Sequence, residues 1–406
     1  MTAARGHDDA AVAEATAALA PYIPRLLRAW PDGVAHREVE GTLVSADLSG
    51  FTRLSERLAA LGREGAEELT TLLNGCFTGM IAEVERFGGD VLKFGGDALL
   101  ILYQGPRHTE RACFTTIAMR ELIAQPLATS TGTRVRLRIS QGMHSGTFSL
   151  FVLEGNHREL MVTGPGVTET VECEGTANAG QILLSAAAAA NVDRSWLGRH
   201  VDGRRLLRRI VALEETLDLV EDAANAVDVT PFVPAAQREQ IEIGAPAEHR
   251  RVAIGFVKFS HTDELIERSG AAELGARLQR LAAAAARAER DFGVHWLASD
   301  VYPDGGKVIL TAGAPLTLGD DEERVLRAAR QVLDEIDDLD LRIGVNAGPV
   351  FVGDLGSPTR RAFTVMGDAV NLAARLMQKA ESGQVIASTA TLERSPTRFE
   401  TTELEP

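Results

Sequence analysis

The chain of 406 residues repeats its own pattern once, and this repeat restricts the fold more than any other feature of the sequence. Four segments of the N-terminal half (copy one) recur in the same order in the C-terminal half (copy two). The matched pairs are GTLVSADLSGFT (from Gly41) with RRVAIGFVKFSHT (from Arg250), GGDALLIL (95–102) with GGKVILTA (305–312), RLRISQGMHSGTF (136–148) with LRIGVNAGPVF (341–351), and VTGPGVTETVECEGTANAGQILLS (162–185) with VMGDAVNLAARLMQKAESGQVIAS (365–388). Four matches in one order indicate a gene duplication, so we expect two related domains.

Each copy runs through the same predicted elements: a strand, helices, a hairpin, a helix, strands, a helix and a strand. Helices mixed with hairpins predict an α+β fold, in which helices cover one face of a sheet. The predicted organisation has four parts. They are an N-terminal helical segment (1–37), a first domain (38–235), a linker (236–249) and a second domain (250–406).

Charge and composition restrict the partners of the chain. The formal net charge is −15, which argues against broad nucleic-acid binding and against docking on an anionic membrane, because both favour a basic face. An acidic protein that binds a polyphosphate needs a bound cation at that site. The three cysteines show no metal-binding spacing, and no apolar run approaches the ~20 residues of a membrane span. We therefore expect a cytoplasmic protein that binds neither nucleic acid nor membrane.

Two aspartates of copy one each follow an apolar, strand-like run. Asp47 ends TLVSAD and begins the turn LSGFT, whose backbone amides can hold phosphates near a helix start at Thr52. Asp97 lies in the Gly-Gly turn of a predicted hairpin. A hairpin beside the first strand brings the two carboxylates together, where they repel each other unless they are protonated or bind metal. Divalent ions that clamp a triphosphate suit such ligands, although either aspartate alone could serve only as a helix cap or turn residue.

Copy two carries groups of a different kind. In FTVMGDAVNLAARLM (363–377), Asn371 and Arg375 are four residues apart and share one face of a helix. A planar guanidinium beside a neutral amide suits an anionic reaction centre, whereas an ordinary surface arginine is the alternative. Counted from the glycine that both copies share, copy one has Thr168 in place of Asn371 and Glu172 in place of Arg375. Copy one therefore lacks the groups that copy two keeps.

The reverse loss is found in copy two. It has Lys258 at the position of Asp47 and Lys307 at the position of Asp97, and two ammonium groups would repel metal ions. These lysines would attract another anion or form salt bridges, and we expect salt bridges because buried charges are usually paired. Reciprocal loss predicts one complete site and one degenerate site related by a pseudo-twofold axis.

These segments resemble a known family. ADLSGFTRLSE followed by LKFGGDALL resembles the metal-binding half of class III adenylyl and guanylyl cyclases. The tandem arrangement, from Val44 onward, is similar to the catalytic core of the bicarbonate-responsive soluble adenylyl cyclases and their bacterial relatives. The resemblance implies two ferredoxin-like cyclase homology domains that form a pseudo-twofold heterodimer within one chain. It also implies conversion of ATP to 3′,5′-cyclic AMP and pyrophosphate, with two Mg²⁺ or Mn²⁺ ions as cofactors.

The resemblance also assigns roles to residues of this chain. By this resemblance Asp47 and Asp97 bind the metal ions, Asn371 orients the ribose, Arg375 stabilises the charged transition state and Thr364 contacts the base. The implied phosphate-binding residues are Leu48, Ser49, Gly50, Phe51, Thr52 and Arg138. The residues of the degenerate second site are Lys93, Lys258, Lys307 and Glu172.

The choice of nucleotide base is open at this point. Adenylyl cyclases of the family usually read adenine with a lysine on the hairpin of copy two, and VHWLASDVYPDGG (294–306) contains no lysine. Its polar candidates are His295, Ser299 and Asp300. Thr364 favours adenine by resemblance, and guanylyl cyclase activity is the alternative.

Regulation and assembly follow from the same resemblance. In the soluble family, bicarbonate binds the degenerate site through a lysine, which Lys93 matches, and an arginine. The helix of copy one (165–176) contains no arginine, so bicarbonate activation is not expected. A non-catalytic nucleotide- or anion-sensing module is a further alternative to the enzyme. Because both halves of the site lie in one chain, we expect a monomer, as part of a longer multidomain protein.

Overall fold

The computed structural model describes residues 17–49, 58, 63–128, 134–208 and 228–404. Most strands lie in two large sheets, one in each copy. The elements up to the end of copy one are α1 (Arg25–Arg28), β1 (His36–Ser49), α2 (Arg63–Arg86), β2 (Asp90–Gly95), β3 (Ala98–Tyr103), α3 (His108–Ile123), β4 (Leu127–Ala128), β5 (Arg134–Val135), β6 (Arg138–Glu154), β7 (Arg158–Val162), α4 (Pro165–Thr176), β8 (Ile182–Leu184), α5 (Ala186–Ala190), β9 (Leu197–Val201) and β10 (Arg204–Leu207). The later elements are α6 (Ala235–Glu242), β11 (Glu248–Ser260), α7 (Thr262–Ser269), α8 (Ala271–Phe292), β12 (His295–Tyr302), β13 (Gly305–Ala312), α9 (Asp321–Glu335), β14 (Asp340–Gly356), β15 (Arg361–Met366), α10 (Asp368–Lys379), β16 (Gln384–Ala387) and α11 (Thr389–Arg394). Short 3₁₀ helices span Ala20–Tyr22, Arg194–Trp196 and Thr230–Phe232.

The two sheets share one topology. The order is β2-β3-β1-β6-β8-β10-β9 in the first sheet and β12-β13-β11-β14-β15 in the second. In each sheet a hairpin (β2–β3 or β12–β13) pairs with the first long strand, which pairs in turn with the second long strand. The predicted α+β fold with two related domains is thereby confirmed.

Strand β1 shows why the sheet of copy one is covered on both faces. Because successive side chains point to opposite faces, Val44, Ala46 and Leu48 pack with helices α2 and α3. Val39 and Leu43 point the other way, into a second core that includes the N-terminal segment and the segment before copy two. The predicted helices on one face therefore account for only one of the two layers that cover this sheet.

The two copies exchange side chains across their interface. Leu355 of β14 belongs to the core of copy one, whereas Phe151 of β6 and Met161 of β7 belong to the core of copy two. The Gly356 N–H also donates a hydrogen bond of 3.0 Å to Asn74 Oδ1 of helix α2. This reciprocal packing makes the repeat a pseudo-twofold pair.

A fifth matched pair of segments, which the sequence analysis missed, precedes the two copies. LAPYIPRLLR (19–28) and VTPFVPAAQR (229–238) each form a 3₁₀ helix, a proline and a short α-helix. We call them the N-terminal strap and the linker strap. Because the repeat extends to these segments, we propose that the domain boundaries lie at the straps, ahead of residues 38 and 250.

Each strap contacts the copy that it does not directly precede. Tyr22 of the N-terminal strap lies under the guanidinium of Arg361 in β15, 5.8 Å from the ring centre. Phe232 of the linker strap lies in the same way under Arg158 in β7, also at 5.8 Å. The straps therefore cross the interface in opposite directions. Over the described ranges, no helix is both long enough and apolar enough to cross a membrane.

Candidate active site

Asp47 and Asp97 lie together at one end of the first sheet. Asp47 is opposite Ala98 in the β1–β3 ladder, and the Leu48 N–H donates a hydrogen bond of 3.1 Å to the Asp97 carbonyl. The turn between β2 and β3 is thereby held beside the end of β1. Asp97 is close enough to Asp47 to raise the pKa of its carboxyl group, so the structure brings together the two carboxylates that the sequence pairs.

The electrostatics of this pair suit a cation. Burial, then the neighbouring Asp97 and Glu174, raise the pKa of Asp47 to about 8. Burial also raises the pKa of Asp97. Glu174 accepts a hydrogen bond of 2.8 Å from Ser140 Oγ and was not predicted, because nothing in its helix distinguishes it from a surface glutamate. Hard oxygen donors that repel each other fit Mg²⁺ or Mn²⁺.

Among the described residues, few side chains are placed to bind such an ion. No group of three His, Cys, Asp or Glu side chains in a metal-binding arrangement occurs among the described residues. Asp47 and Asp97 would hold divalent ions together with oxygen atoms from phosphate or water. The arrangement therefore fits a site that a nucleotide completes.

The phosphate-binding candidates that the structure describes lie at the same edge. Leu48 and Ser49 end β1, and Ser49 is opposite Arg138 in the β1–β6 ladder. Arg138 is exposed and is the first residue of β6. Gly50, Phe51 and Thr52 lie outside the described residues.

Helix α10 carries the candidates of copy two. Gly367 precedes it with a φ of +145°, which glycine tolerates best, and the matching Gly164 of copy one has a φ of +115°. The helix buries Ala369, Ala373 and Met377. Asn371 and Arg375 lie on the exposed face, as their spacing predicted.

Thr364 lies on the strand that leads into this helix. It is opposite Gly353 in the β14–β15 ladder and is partly buried. Two residues further on, Met366 packs against the core of copy one. Strand β15 therefore carries Thr364 at the interface between the copies.

The degenerate site shows how such a helix meets the opposite hairpin. Thr168, at the position of Asn371, accepts a hydrogen bond of 2.8 Å from the Asp304 N–H in the β12–β13 turn. Thr163, at the position of Met366, donates a hydrogen bond of 2.9 Å to the Gly305 carbonyl. The pseudo-twofold relation therefore directs α10 toward the corresponding turn of copy one, which carries Asp97.

The two lysines of the degenerate site differ from each other. Lys307 forms the expected salt bridge, 2.8 Å from Asp300. Lys258 forms no ion pair with the described residues, and its Nζ instead lies 3.8 Å from the ring centre of Tyr302. The lysines are directly opposite each other in the β11–β13 ladder. In copy one, the residue opposite Asp47 is Ala98 and not Asp97. In the ladder, Lys307 therefore corresponds to Ala98, one residue after Asp97.

Glu172 and Lys93 are both engaged by other side chains. Glu172 pairs with Arg204 at 2.9 Å. Lys93 Nζ lies 2.6 Å from Glu159 Oε1 and 2.8 Å from Ser299 Oγ. Burial alone would raise the pKa of Glu159, but Lys93 and a neighbouring histidine outweigh burial and hold this pKa well below its usual value. Glu159 was not predicted because it contacts Lys93 and Ser299 on strands β2 and β12, which are distant from it in the sequence.

The chain is similar in sequence to known proteins. The family model described as "Adenylate and Guanylate cyclase catalytic domain" matches residues 34–201 and 322–406. Adenylate cyclase type 10 of Oryctolagus cuniculus is 26% identical over 387 residues, which cover 83% of this chain and 24% of that protein. The human adenylate cyclase type 10 is 25% identical over 390 residues, with the same coverage. The chain thus spans about a quarter of the length of these relatives.

A solved structure shares the fold over nearly the whole chain. It is a class III adenylyl cyclase-like ATP-binding protein from Pseudomonas aeruginosa, with a TM-score of 0.64 and 12% sequence identity. The likeness covers 96% of this chain and 93% of that one. Since the family model matches more than half of the chain, the chain belongs to the adenylate and guanylate cyclase catalytic domain family, the class III cyclases.

Proposed function

We propose that the chain is an adenylyl cyclase core, which converts ATP to 3′,5′-cyclic AMP and pyrophosphate at one site between its two copies. The paired carboxylates of Asp47 and Asp97 carry the proposal, because copy two has lysines at the matching sequence positions. Asn371 and Arg375 on copy two supply the complementary groups.

Each group has a part in attack of the ribose 3′-hydroxyl on the α-phosphorus. Two divalent cations, held by Asp47 and Asp97, would when bound lower the pKa of that hydroxyl and neutralise the leaving phosphates. Arg375 would hydrogen-bond the charged phosphorane-like transition state, and Asn371 would fix the ribose. The β1 end and Arg138 would hold the β- and γ-phosphates.

Adenine is the proposed base for two reasons. The relatives that match along most of this chain are named adenylate cyclases. On the hairpin of copy two, Ser299 is bound to Lys93 and Asp300 to Lys307, so two of its three polar candidates are already engaged by protein. Thr364 favours adenine by the family resemblance, and its hydroxyl can donate a hydrogen bond to the base and accept one from it.

Nucleotide binding without turnover is a second candidate. The absence of a lysine from β12 favours it, since the hairpin then holds adenine with fewer polar contacts. A guanylyl cyclase is a third candidate, which differs from the first only in the base.

A product assay together with a measurement of ATP binding separates the three candidates. Purified wild type and Asp97→Ala are incubated with ATP or GTP and Mn²⁺ or Mg²⁺, and both cyclic nucleotides are quantified. The proposal expects cyclic AMP from the wild type and almost none from Asp97→Ala. Cyclic GMP as the main product would establish the guanylyl cyclase, and ATP binding with no product from either protein would establish the binding module.

A further inference from the structure

A row of four charged residues crosses the sheet of copy two. Asp300, Lys307, Lys258 and Arg342 lie directly opposite one another on β12, β13, β11 and β14. Directly opposite residues point to the same face of a sheet, so these side chains line one surface. The row of copy one that contains Asp47 has a glycine, an alanine and a serine at its other three places.

The two rows touch at the metal-binding hairpin. A Cβ atom added to Gly95 would lie 2.9 Å from Asp300 Oδ2 and 3.1 Å from Asp300 Oδ1. The carboxylate of copy two therefore rests on the backbone of copy one, two residues before Asp97. Only glycine leaves room for this approach.

Asp300 is held firmly in this position. Its Oδ2 pairs with Lys307 at 2.8 Å, and its Oδ1 accepts a hydrogen bond of 2.8 Å from the Val301 N–H. The side chains of Lys307 and Asp300 are only 22% and 11% exposed. Solvent therefore screens their charges weakly, and they act at short range on their neighbours.

Both charges reach the metal-binding turn. Asp300 lies against Gly95, two residues before Asp97, and Lys307 Nζ lies 2.8 Å from Asp300 Oδ2. A salt bridge whose only role was to neutralise Lys307 would not have to contact the metal-binding turn of copy one. Its placement on Gly95 gives the pair an effect on the opposite copy.

We propose that Asp300 and Lys307, which belong to the copy without metal ligands, set the charge beside the Asp47–Asp97 pair and so tune its affinity for divalent cations. This inference rests on the proposed metal site. The two residues form a neutral pair, so removal of either charge leaves an uncompensated charge of known sign beside Asp97. Loss of Lys307 would leave an extra negative charge, and loss of Asp300 an extra positive one.

Mn²⁺ binding to the full chain without nucleotide tests the proposal. The electron paramagnetic resonance signal of free Mn²⁺ gives the dissociation constant for wild type, Lys307→Gln, Asp300→Asn and the double variant. We expect about tenfold tighter binding for Lys307→Gln and about tenfold weaker binding for Asp300→Asn. The double variant restores neutrality and is expected to return close to the wild-type value.

Two controls separate this inference from the proposed function. Asp47→Asn must abolish the Mn²⁺ binding; if wild type shows no binding that depends on Asp47, the metal site itself is refuted and the inference with it. Asp304→Asn removes a charge from the same hairpin; the Asp304 carboxylate instead accepts a hydrogen bond from the Asp263 N–H of α7, and the change is expected to leave the dissociation constant unchanged. If binding depends on Asp47 but both single variants shift it in the same direction or not at all, the pair has only a structural role and the inference is overturned.

Discussion

The Tyr22 hydroxyl donates a hydrogen bond of 2.5 Å to Asp354 Oδ2, and so joins the segment before copy one to a strand of copy two. Asp354 is opposite Phe363 in the β14–β15 ladder, next to the pair formed by Gly353 and Thr364. The N-terminal strap therefore reaches the strand that carries the candidate base contact. The relative position of the two copies depends on this link as well as on their cores.

Tyr22→Phe tests the link. The change removes the donor and leaves a partly buried carboxylate without that partner, so we expect the free energy of unfolding to fall by about 1–2 kcal/mol. Urea denaturation measures it. Tyr302→Phe, which keeps the ring under Lys258, is the control and is expected to change the free energy by less than about 0.5 kcal/mol. Equal effects of the two variants would contradict a specific role for the link.

Gly344→Ala tests whether the position of helix α10 controls activity. A Cβ atom at Gly344 would collide with the backbone of Met377 and Ala373, so it would push the helix off β14. We expect turnover to fall more than tenfold, since Asn371 and Arg375 move with the helix.

Gly75→Ala is the control for this substitution. A Cβ atom at Gly75 has no atom within 4 Å, and alanine favours a helix by about 0.5–1 kcal/mol over glycine. We expect normal turnover and a small gain in stability. Normal turnover of a folded Gly344→Ala protein would show that helix position does not matter.

The buried pair of Lys93 and Glu159 predicts a pH dependence of stability. Lys93 and the neighbouring histidine hold the pKa of Glu159 below its usual 4.5, despite burial. A depressed carboxyl pKa stabilises the fold above the unfolded-state pKa and loses this effect as the pH falls below it. The free energy of unfolding of wild type is therefore expected to drop below about pH 4.5.

Glu159→Gln is the matched variant for this dependence. At pH 7 it leaves Lys93 buried without its counter-charge, so we expect a loss of about 3 kcal/mol. Between pH 5 and 3 its free energy of unfolding should fall less steeply than that of wild type, as urea titrations at each pH would show. Parallel curves would mean that Glu159 is not the group responsible.

Much of the fold and part of the candidate site could be predicted, because both depend on local patterns. Asp97 was placed beside Asp47 since a two-residue Gly-Gly turn and an apolar strand are local signals. The spacing of Asn371 and Arg375 likewise predicted their common exposed face. These features need no knowledge of how the two copies pack.

The rest could not be predicted, because it depends on that packing. Asp300 contacts Gly95, and Glu159 contacts Ser299, across an interface that no periodicity encodes. In the ladder, Lys307 is displaced by one residue from the position of Asp97. The reason is that the β12–β13 hairpin is longer than β2–β3 and makes its turn at 303–304. The straps were visible as a repeat, but they are short and differ in charge, so their match was overlooked.

The central claim is that one site is shared by two copies with complementary groups. The turnover numbers of Arg375→Ala and Glu172→Ala test it most directly, because the two residues hold the same position in the two copies. With Mn²⁺ and saturating ATP, we expect Arg375→Ala to lower turnover by about 100-fold or more and Glu172→Ala to stay within about twofold of wild type. Equal losses in both variants, or full activity of Arg375→Ala, would contradict the account.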